Sequence, residues 1–544
     1  MQSVFKQDLE RLVKQYDQPG PRYTSYPTVP VWPQGNFGRE YAEALEAEGT
    51  KDRGISIYLH IPFCRTLCTF CGCNKVITRD AELVERYLKA LEQEMTAVAK
   101  GLGQRKTLSQ LHLGGGTPTF LSLDQLTTLT EMLKHHFEID PEGEWALEAN
   151  PRVTTAEQLE GLFDLGFRRV SFGIQDIDPA VQRAINRNQT STQSEEAFYV
   201  SKKLGYQSIN FDLVYGLPLQ TRVKFRKTLD AVSKMRPDRL AVYSFAHLPW
   251  MFKAHERALR EQDLPTAQEK IGLYLDTVRH FTEEGYVMIG MDHFALPGDE
   301  LALALGHQTL HRNFMGYTTL HGLAQIGLGV SAISDFGDSY WQNPKELDGY
   351  LEQASDPKPQ RGMKLDEDDR LRRQVIEGLM CYGEIRFDEF GGNGFDFQDY
   401  FKDTREAFEG FEADGLVRLD PDCIKLTDSG LLSCATWRCL LTAISNPRLL
   451  PGFQELSEGR NSQEKIEDEI SPGSHSWKST ASCLGFFVFF KKKKDEKRKT
   501  LGGVIIEANT ARLPAQPPPI PPRPVGTSPG CPGQHGIFCG QPLW

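Results

Sequence analysis

The 544-residue chain has 39% hydrophobic and 25% charged side chains, the balance of a soluble globular protein with material for two to four domains. Its formal net charge of −11 argues against a dedicated nucleic-acid binder. No stretch of 18 apolar residues occurs, and the opening residues carry acidic groups and no apolar h-region, so the expectation is a cytoplasmic enzyme whose cysteines are reduced or metal-bound.

From residue 55 short apolar runs alternate with helical stretches. The runs are 55–59, 111–113, 145–147, 169–174, 209–214 and 239–245, and amphipathic segments such as 81–98 and 123–136 fall between them. This alternation predicts a parallel sheet, open or curled into a full or partial barrel. Ligands bind such sheets at the C-terminal strand ends. A cysteine cluster follows the first run, Gly114-Gly-Gly-Thr-Pro118 the second and Glu148 the third. Gln175 follows the fourth, Asp212 lies in the fifth, and Ala246-His247 follows the sixth. A polar or chemically special position at every strand end points to one site.

The cluster is His60-Ile-Pro-Phe-Cys64-Arg-Thr-Leu-Cys68-Thr-Phe-Cys71-Gly-Cys73. Cys64, Cys68 and Cys71 have the spacing C-x3-C-x2-C. Iron–sulfur clusters are normally held by four thiolates; three would hold a cubane and leave one iron open to a small molecule. Rival readings are a zinc site, a disulfide or three cysteines on one helix face. Structural zinc usually takes four N/S ligands, often as two C-x2-C pairs, and Cys73 lies too close to Cys71 to supply a second pair. An amino-acid ligand on the open iron would need close backbone approach, which the triglycine loop offers. It would also need a carboxylate partner such as Arg187, and acceptors such as Gln175 and Asp212 for ribose hydroxyls.

Residues 262–345 read as further helices and glycine-rich connections, including 327–334. Residues 365–433 read as a small α+β unit, with helices at 366–381 and 397–415 and two short strands after them. That order is winged-helix-like, but no basic recognition face accompanies it, so a packing or lid role is expected rather than DNA binding. After Ser433 the character changes: 434–544 holds Lys491–Lys494, a proline tract at 517–524 and no sustained period. Its net charge is about +5, against about −16 for the rest, and most of it is expected to be disordered.

The cysteine run, with an aromatic before its third cysteine, resembles the radical S-adenosylmethionine (SAM) superfamily. More narrowly, residues 14–433 resemble the oxygen-independent coproporphyrinogen III oxidases. The motifs carrying this are Gly20-Pro-Arg-Tyr-Thr-Ser-Tyr-Pro-Thr28, Tyr58–Cys64, Cys71-Gly-Cys73-Asn74, His112–Thr119 and Ser171–Asp176. Ile209–Pro218, Ala246-His-Leu-Pro249 and Gly329–Ser334 complete the set.

The resemblance implies an α/β fold: a partial (βα) barrel of the radical SAM type (55–345), an N-terminal substrate-covering segment (1–54) and a small, mostly helical, winged-helix-like unit (346–433). It implies a [4Fe–4S] cluster on Cys64, Cys68 and Cys71, and two SAM molecules per active site. Lining those sites would be Tyr58, Phe70, Gly115, Gly116, Thr117, Glu148, Gln175, Arg187, Asp212, Ala246 and Ile333. Tyr58, Glu148 and Cys73 are the expected catalytic positions, Cys73 without ligating iron. Arg22, Tyr23 and Tyr26 could clamp a tetrapyrrole. The implied reaction is anaerobic decarboxylation of two propionates of coproporphyrinogen III by a monomer supplied with electrons by a flavodoxin or ferredoxin. The alternative is a haem-binding chaperone of the same superfamily, whose members lack the Arg-Tyr-Thr-Ser-Tyr-Pro-Thr motif and the fourth cysteine; both are present here. The match stops at Ser433, so 434–544 is expected to be a non-homologous tail whose five cysteines, Cys434, Cys439, Cys483, Cys531 and Cys539, carry no function.

Overall fold

In the computed structural model the described residues are Gln15, 24–104, 106–247, 253–390, 396–431, Leu441, Ile444 and Ser445, all within one compact unit, Met1–Phe490. Seven parallel strands form the centre of a twelve-stranded sheet. They are β1 (Ile55–Ile61), β2 (Thr107–Gly115), β3 (Glu138–Ala149), β4 (Arg169–Gln175), β5 (Ser208–Tyr215), β6 (Arg239–Ser244) and β7 (Ala324–Leu328). In space the order is β7-β1-β2-β3-β4-β5-β6, so the chain steps outward from β1 and returns to cover its open edge with β7. Antiparallel strands extend both sides: Ile333–Asp335, Ser339–Gln342 and Arg361–Lys364 beyond β7, and His293–Ala295 and Val287–Met288 beyond β6. The sheet is open, the partial rather than the closed form of the expected barrel.

Burial on both faces makes these strands read as apolar runs. Ile55, Ile57, Leu59 and Ile61 are fully buried, and only Tyr58 is half-exposed along β1. Between the strands run amphipathic helices with strong stop and start signals. Asp80 caps Ala81–Leu102 by accepting from the Glu82 and Leu83 amides. Ser122/Gln125, Thr155/Gln158 and Thr190/Gln193 form capping boxes ahead of Leu123–His136, Ala156–Leu165 and Ser191–Leu204.

The segment 327–334 is not a glycine-rich connection. It is the end of β7, a turn and the start of an antiparallel strand, and Gly327 is needed because a Cβ there would lie 2.5 Å from the Ile333 carbonyl oxygen.

Residues 367–431 have their own apolar core, with a helix Glu367–Tyr382 and a three-stranded sheet that includes an unexpected strand, Glu384–Arg386. The helix expected over 397–415 is broken into Phe397–Tyr400 and Arg405–Ala413 with a 3-10 turn between. Tyr26 is buried in this core, at 3% exposure, which corrects the picture of it as a tetrapyrrole clamp. Arg22 and Tyr23 lie outside the described residues. So does the tail beyond Ser433 apart from Leu441, Ile444 and Ser445. Of these, Leu441 and Ile444 are buried in the same core, and the Arg372 guanidinium donates to the Ile444 carbonyl.

Candidate active site

Beyond β1 the chain turns sharply into the cysteine loop. Phe63 and Cys64 pair with Val76 and Ile77, closing the loop at its base. Its outer part is fastened to the turn after the helix Pro179–Ala184: the Thr69 amide donates to the Ile185 carbonyl at 3.0 Å, and Asn186 Nδ2 to the Leu67 carbonyl at 2.7 Å. Arg152, just past β3, donates through Nη2 to Thr66 Oγ1 at 2.9 Å and through Nη1 to the Arg187 carbonyl. Three strand ends therefore hold the loop.

Donors surround the thiols. Thr117 Oγ1 lies 3.4 Å from Cys64 Sγ and Arg187 Nη1 lies 3.8 Å from Cys68 Sγ. The Cys71 thiol is pushed down to about 6, chiefly by a hydrogen bond with Cys73 and further by the charges of Lys75 and Arg187. Cys64 goes the other way, up to about 11, because burial dominates there. Cys73 is exposed at the cavity edge. Among the described residues no three His, Cys, Asp or Glu side chains converge as ligands of a single ion. Sulfurs on one tetrahedral zinc sit about 3.8 Å apart; a four-iron cubane, with each thiolate on a different iron, requires wider separation. The donor set and the flanking N–H and O–H groups fit such a cluster.

Next to the loop, Gly114–Thr117 passes close under the strand ends. Gly115 has φ +112°, and a Cβ there would meet the His60 ring at 2.7 Å. A Cβ on Gly116 would lie 2.5 Å from the Pro62 carbonyl oxygen. Only glycine permits both approaches.

Across the sheet the register lays down a row of polar side chains. Tyr58 pairs with His112, and the two rings stack at 5.9 Å. His112 Nε2 lies 3.6 Å from Glu148 Oε1, and Glu148 Oε2 accepts from the Gly115 amide at 3.1 Å. Glu148 pairs with Ser171 and Ser171 with Asn210. Ser171 Oγ and Asn210 Nδ2 both donate to the Asp212 carboxylate, at 3.0 and 2.8 Å. Burial, and secondly the Glu148 charge, push Asp212 up to about 6. The row ends near His293, on the antiparallel neighbour of β6, whose Nδ1 is 2.6 Å from Asp292.

His60 is fixed in one tautomer. Its Nε2 faces the Asn74 carbonyl at 2.9 Å and must donate, so Nδ1 accepts from Tyr58 Oη at 3.1 Å. Burial lowers its pKa and keeps it neutral. Arg187 is already engaged: it donates to Gln189 (3.0 Å), the Gly173 carbonyl (2.5 Å) and Asn150 (3.4 Å).

All fifteen expected positions, Cys64, Cys68, Cys71, Cys73 and the eleven proposed SAM neighbours, line one cavity that opens to solvent. His60, His112 and Ser171, which stand in the motifs without an assigned role, line it too, and so do Arg152 and His293, which no motif contained. Tyr58 and His60 share a strand face by simple alternation, a signal that was available; the others depend on register between strands.

A radical SAM superfamily model matches residues 58–232, and a HemN C-terminal domain model matches 365–433. The oxygen-independent coproporphyrinogen III oxidase of Pseudomonas aeruginosa is 42% identical over 426 residues, covering 77% of this chain and 92% of that protein. The Escherichia coli enzyme of the same name is 41% identical over 424 residues, with the same coverage. The solved coproporphyrinogen III oxidase (HemN) of Escherichia coli, described as a radical SAM enzyme, superposes with a TM-score of 0.73 at 39% identity, covering 80% of this chain and 97% of that one.

Proposed function

The chain belongs to the oxygen-independent coproporphyrinogen III oxidases of the radical SAM superfamily, and on that premise we propose how its residues divide the work. Its reaction is the anaerobic oxidative decarboxylation of two propionates of coproporphyrinogen III to vinyl groups, giving protoporphyrinogen IX in haem biosynthesis. When bound, the [4Fe–4S] cluster and SAM would supply the carbon radical that starts each decarboxylation by taking a propionate β-hydrogen, the vinyl group then forming as CO2 leaves and one electron passes to an external one-electron acceptor.

Cys64, Cys68 and Cys71 hold the cluster, and Thr117, Lys75 and Arg187 favour their thiolate forms. The bare backbone at Gly115 and Gly116 admits the amino-acid end of SAM close to the open iron. Glu148 accepts from its ammonium or a hydroxyl, and Asp212 and Gln175 accept from ribose hydroxyls. Phe70, Ala246 and Ile333 supply apolar walls that exclude water. Tyr58 donates its hydroxyl proton to Nδ1 of neutral His60, which holds its ring and oxygen in place. A second SAM would lie beside the tetrapyrrole, where Arg187 would meet its carboxylate by exchanging one of its present acceptors. Cys73, exposed at the cavity edge and not a ligand of iron, takes part in the reaction close to the substrate or the second SAM. A substrate-covering role for the N-terminal segment is supported by Thr24, which lines the cavity. We place the enzyme in the cytoplasm as a monomer that receives its electrons from a flavodoxin or ferredoxin.

The convergence of all fifteen motif positions on one cavity carries this reading. The test is anaerobic turnover of cluster-reconstituted protein with dithionite, SAM and coproporphyrinogen III. Protoporphyrin with about two deoxyadenosines per ring is expected. Deoxyadenosine without porphyrin conversion would refute the substrate assignment, and the absence of both products from cluster-loaded protein would refute the enzyme.

A further inference from the structure

The cluster must be reduced from outside, and the wall of the cysteine loop has a charge pattern that differs from the rest of the molecule. In a chain with eleven more acidic than basic residues, the three segments that build this wall (60–79, 149–156 and 179–194) contain six Lys and Arg, with acidic residues only at their borders (Asp80, Glu148, Glu157, Asp178 and Glu195), and Arg79 and Arg183 among the six lie outside the cavity. The segments are joined through the loop: Thr69 to Ile185, Leu67 to Asn186, and Thr66 to Arg152. Arg65, Arg79 and Arg183 are exposed on them, and none has a carboxylate partner among the described residues. By contrast, exposed arginines elsewhere are commonly paired, as Arg226 is with Asp230 and Arg260 with Asp263. Ile77, 45% exposed, is one of few exposed large apolar side chains and pairs in register with Cys64 itself.

We propose that the outer face of the cysteine loop and of the helix fastened to it, which carries Ile77 and the exposed Arg65, Arg79 and Arg183, docks a small one-electron carrier protein whose surface around its redox centre is acidic. The inference rests on the cluster assignment above. Unpaired surface arginines contribute little to the fold, but they steer an oppositely charged partner and fix its orientation. An apolar residue within a charged rim gives a desolvated contact at the centre. Pairing with Cys64 puts that contact one strand from a cluster ligand. In the step itself the carrier is oxidised by one electron and the cluster reduced by one; no bond forms or breaks.

The test uses the full chain with its cluster reconstituted and flavodoxin as the probe. Arg79→Glu and Arg183→Glu are combined, since neither residue lines the cavity. A control reverses Arg226 and Arg260. At low salt the first variant is expected to bind flavodoxin roughly tenfold or more weakly and to accept its electrons correspondingly slower. Its affinity should lose most of the salt dependence seen in the parent. Dithionite-driven SAM cleavage and the melting temperature should not change. Equal flavodoxin affinity in parent and variant, or an equal loss in the control, overturns the docking face. If the parent produces no deoxyadenosine with dithionite, the proposed function fails, while the binding contrast still decides the docking face.

Discussion

Replacing Gly116 by alanine tests the closest approach in the site. The new Cβ would lie 2.5 Å from the Pro62 oxygen, 2.6 Å from its carbonyl carbon and 2.9 Å from the Phe63 oxygen. Ordinary contact begins near 3.4 Å, so two backbone segments must separate by about 1 Å. Those atoms lie one and two residues before Cys64 and cannot swing aside as a flexible side chain would. Overpacking of this kind costs about 1–3 kcal/mol, and a large unit loses about 2–4 °C of melting temperature per kcal/mol. The displacement also falls on a cluster ligand and on the floor of the proposed SAM site. Gly298→Ala is the control, because a Cβ there meets nothing within 4 Å. Differential scanning calorimetry of the apo proteins should show a lower midpoint for Gly116→Ala alone. After reconstitution, the same variant should bind SAM at least tenfold more weakly by equilibrium dialysis. If Gly116→Ala melts within a degree of Gly298→Ala and binds SAM equally well, the close approach does not exist as described.

Asp212 gives a pH signature. Its carboxyl is held up at about 6, so the fold binds its proton more tightly than the unfolded chain, whose value is about 3.9. Its contribution to stability is therefore full below about pH 4 and lost as pH rises through 6. As an acceptor for a ligand hydroxyl it works in the opposite sense: the KM for SAM should fall as pH rises through about 6, and Asp212→Asn should abolish that inflection. Arg373→Met should cost about 3–5 kcal/mol in denaturant unfolding. It strands Asp335, which is 7% exposed and receives both Arg373 nitrogens at 2.7 and 3.1 Å; Asp335→Asn on that background should restore part of the loss. Leu441→Ala should cost about 2–5 kcal/mol if the residue is buried among Val375, Phe408 and Leu426, whereas a tail without structural role would leave the unfolding curve unmoved.

The first six parallel strands were legible because burial on both faces fills them with β-branched and aromatic residues. β7 was not: Ala324-Gln-Ile-Gly-Leu328 is short and contains a glycine, and it follows β6 only after about eighty intervening residues. The cysteine and triglycine motifs were legible because backbone geometry and ligand chemistry fix them locally. The polar row was half visible. Glu148 and Asp212 stood out as acids in apolar strands, but the links between them, His112, Ser171 and Asn210, arise from register across neighbouring strands, and register is not written in any one strand. Tyr26 misled because an aromatic in a proline-framed loop suits a ligand face and a core equally well, and its surroundings come from residues more than 300 positions later. The tail was judged by composition, which does not reveal that two of its leucine and isoleucine side chains find a core.

β1 and β7 are neighbours in the sheet although they lie far apart in sequence, and the helix Ala81–Leu102 ties their ends together where they reach the site. Tyr87 Oη donates to the His60 carbonyl at 2.6 Å and accepts from the Val330 amide at 3.1 Å, so one hydroxyl joins the end of β1 to the turn after β7. Two helical turns further on, Glu94 Oε2 accepts from Tyr350 Oη at 2.6 Å and from the Gly329 amide at 2.7 Å, while Oε1 accepts from Asn343 Nδ2 at 2.6 Å. Among the described residues no cation faces this carboxylate, and burial pushes it up to about 7. Three neutral donors tolerate either protonation state better than an ion pair would, because no partner charge is left stranded. Gly329, at φ +99°, admits the Tyr87 hydroxyl where a Cβ would lie 2.5 Å away. The turn that presents Ile333 to the cavity is thus held by the helix that follows the cysteine loop, and the ends of these two neighbouring strands share one support although 270 residues of sequence separate Pro62 from Ala332.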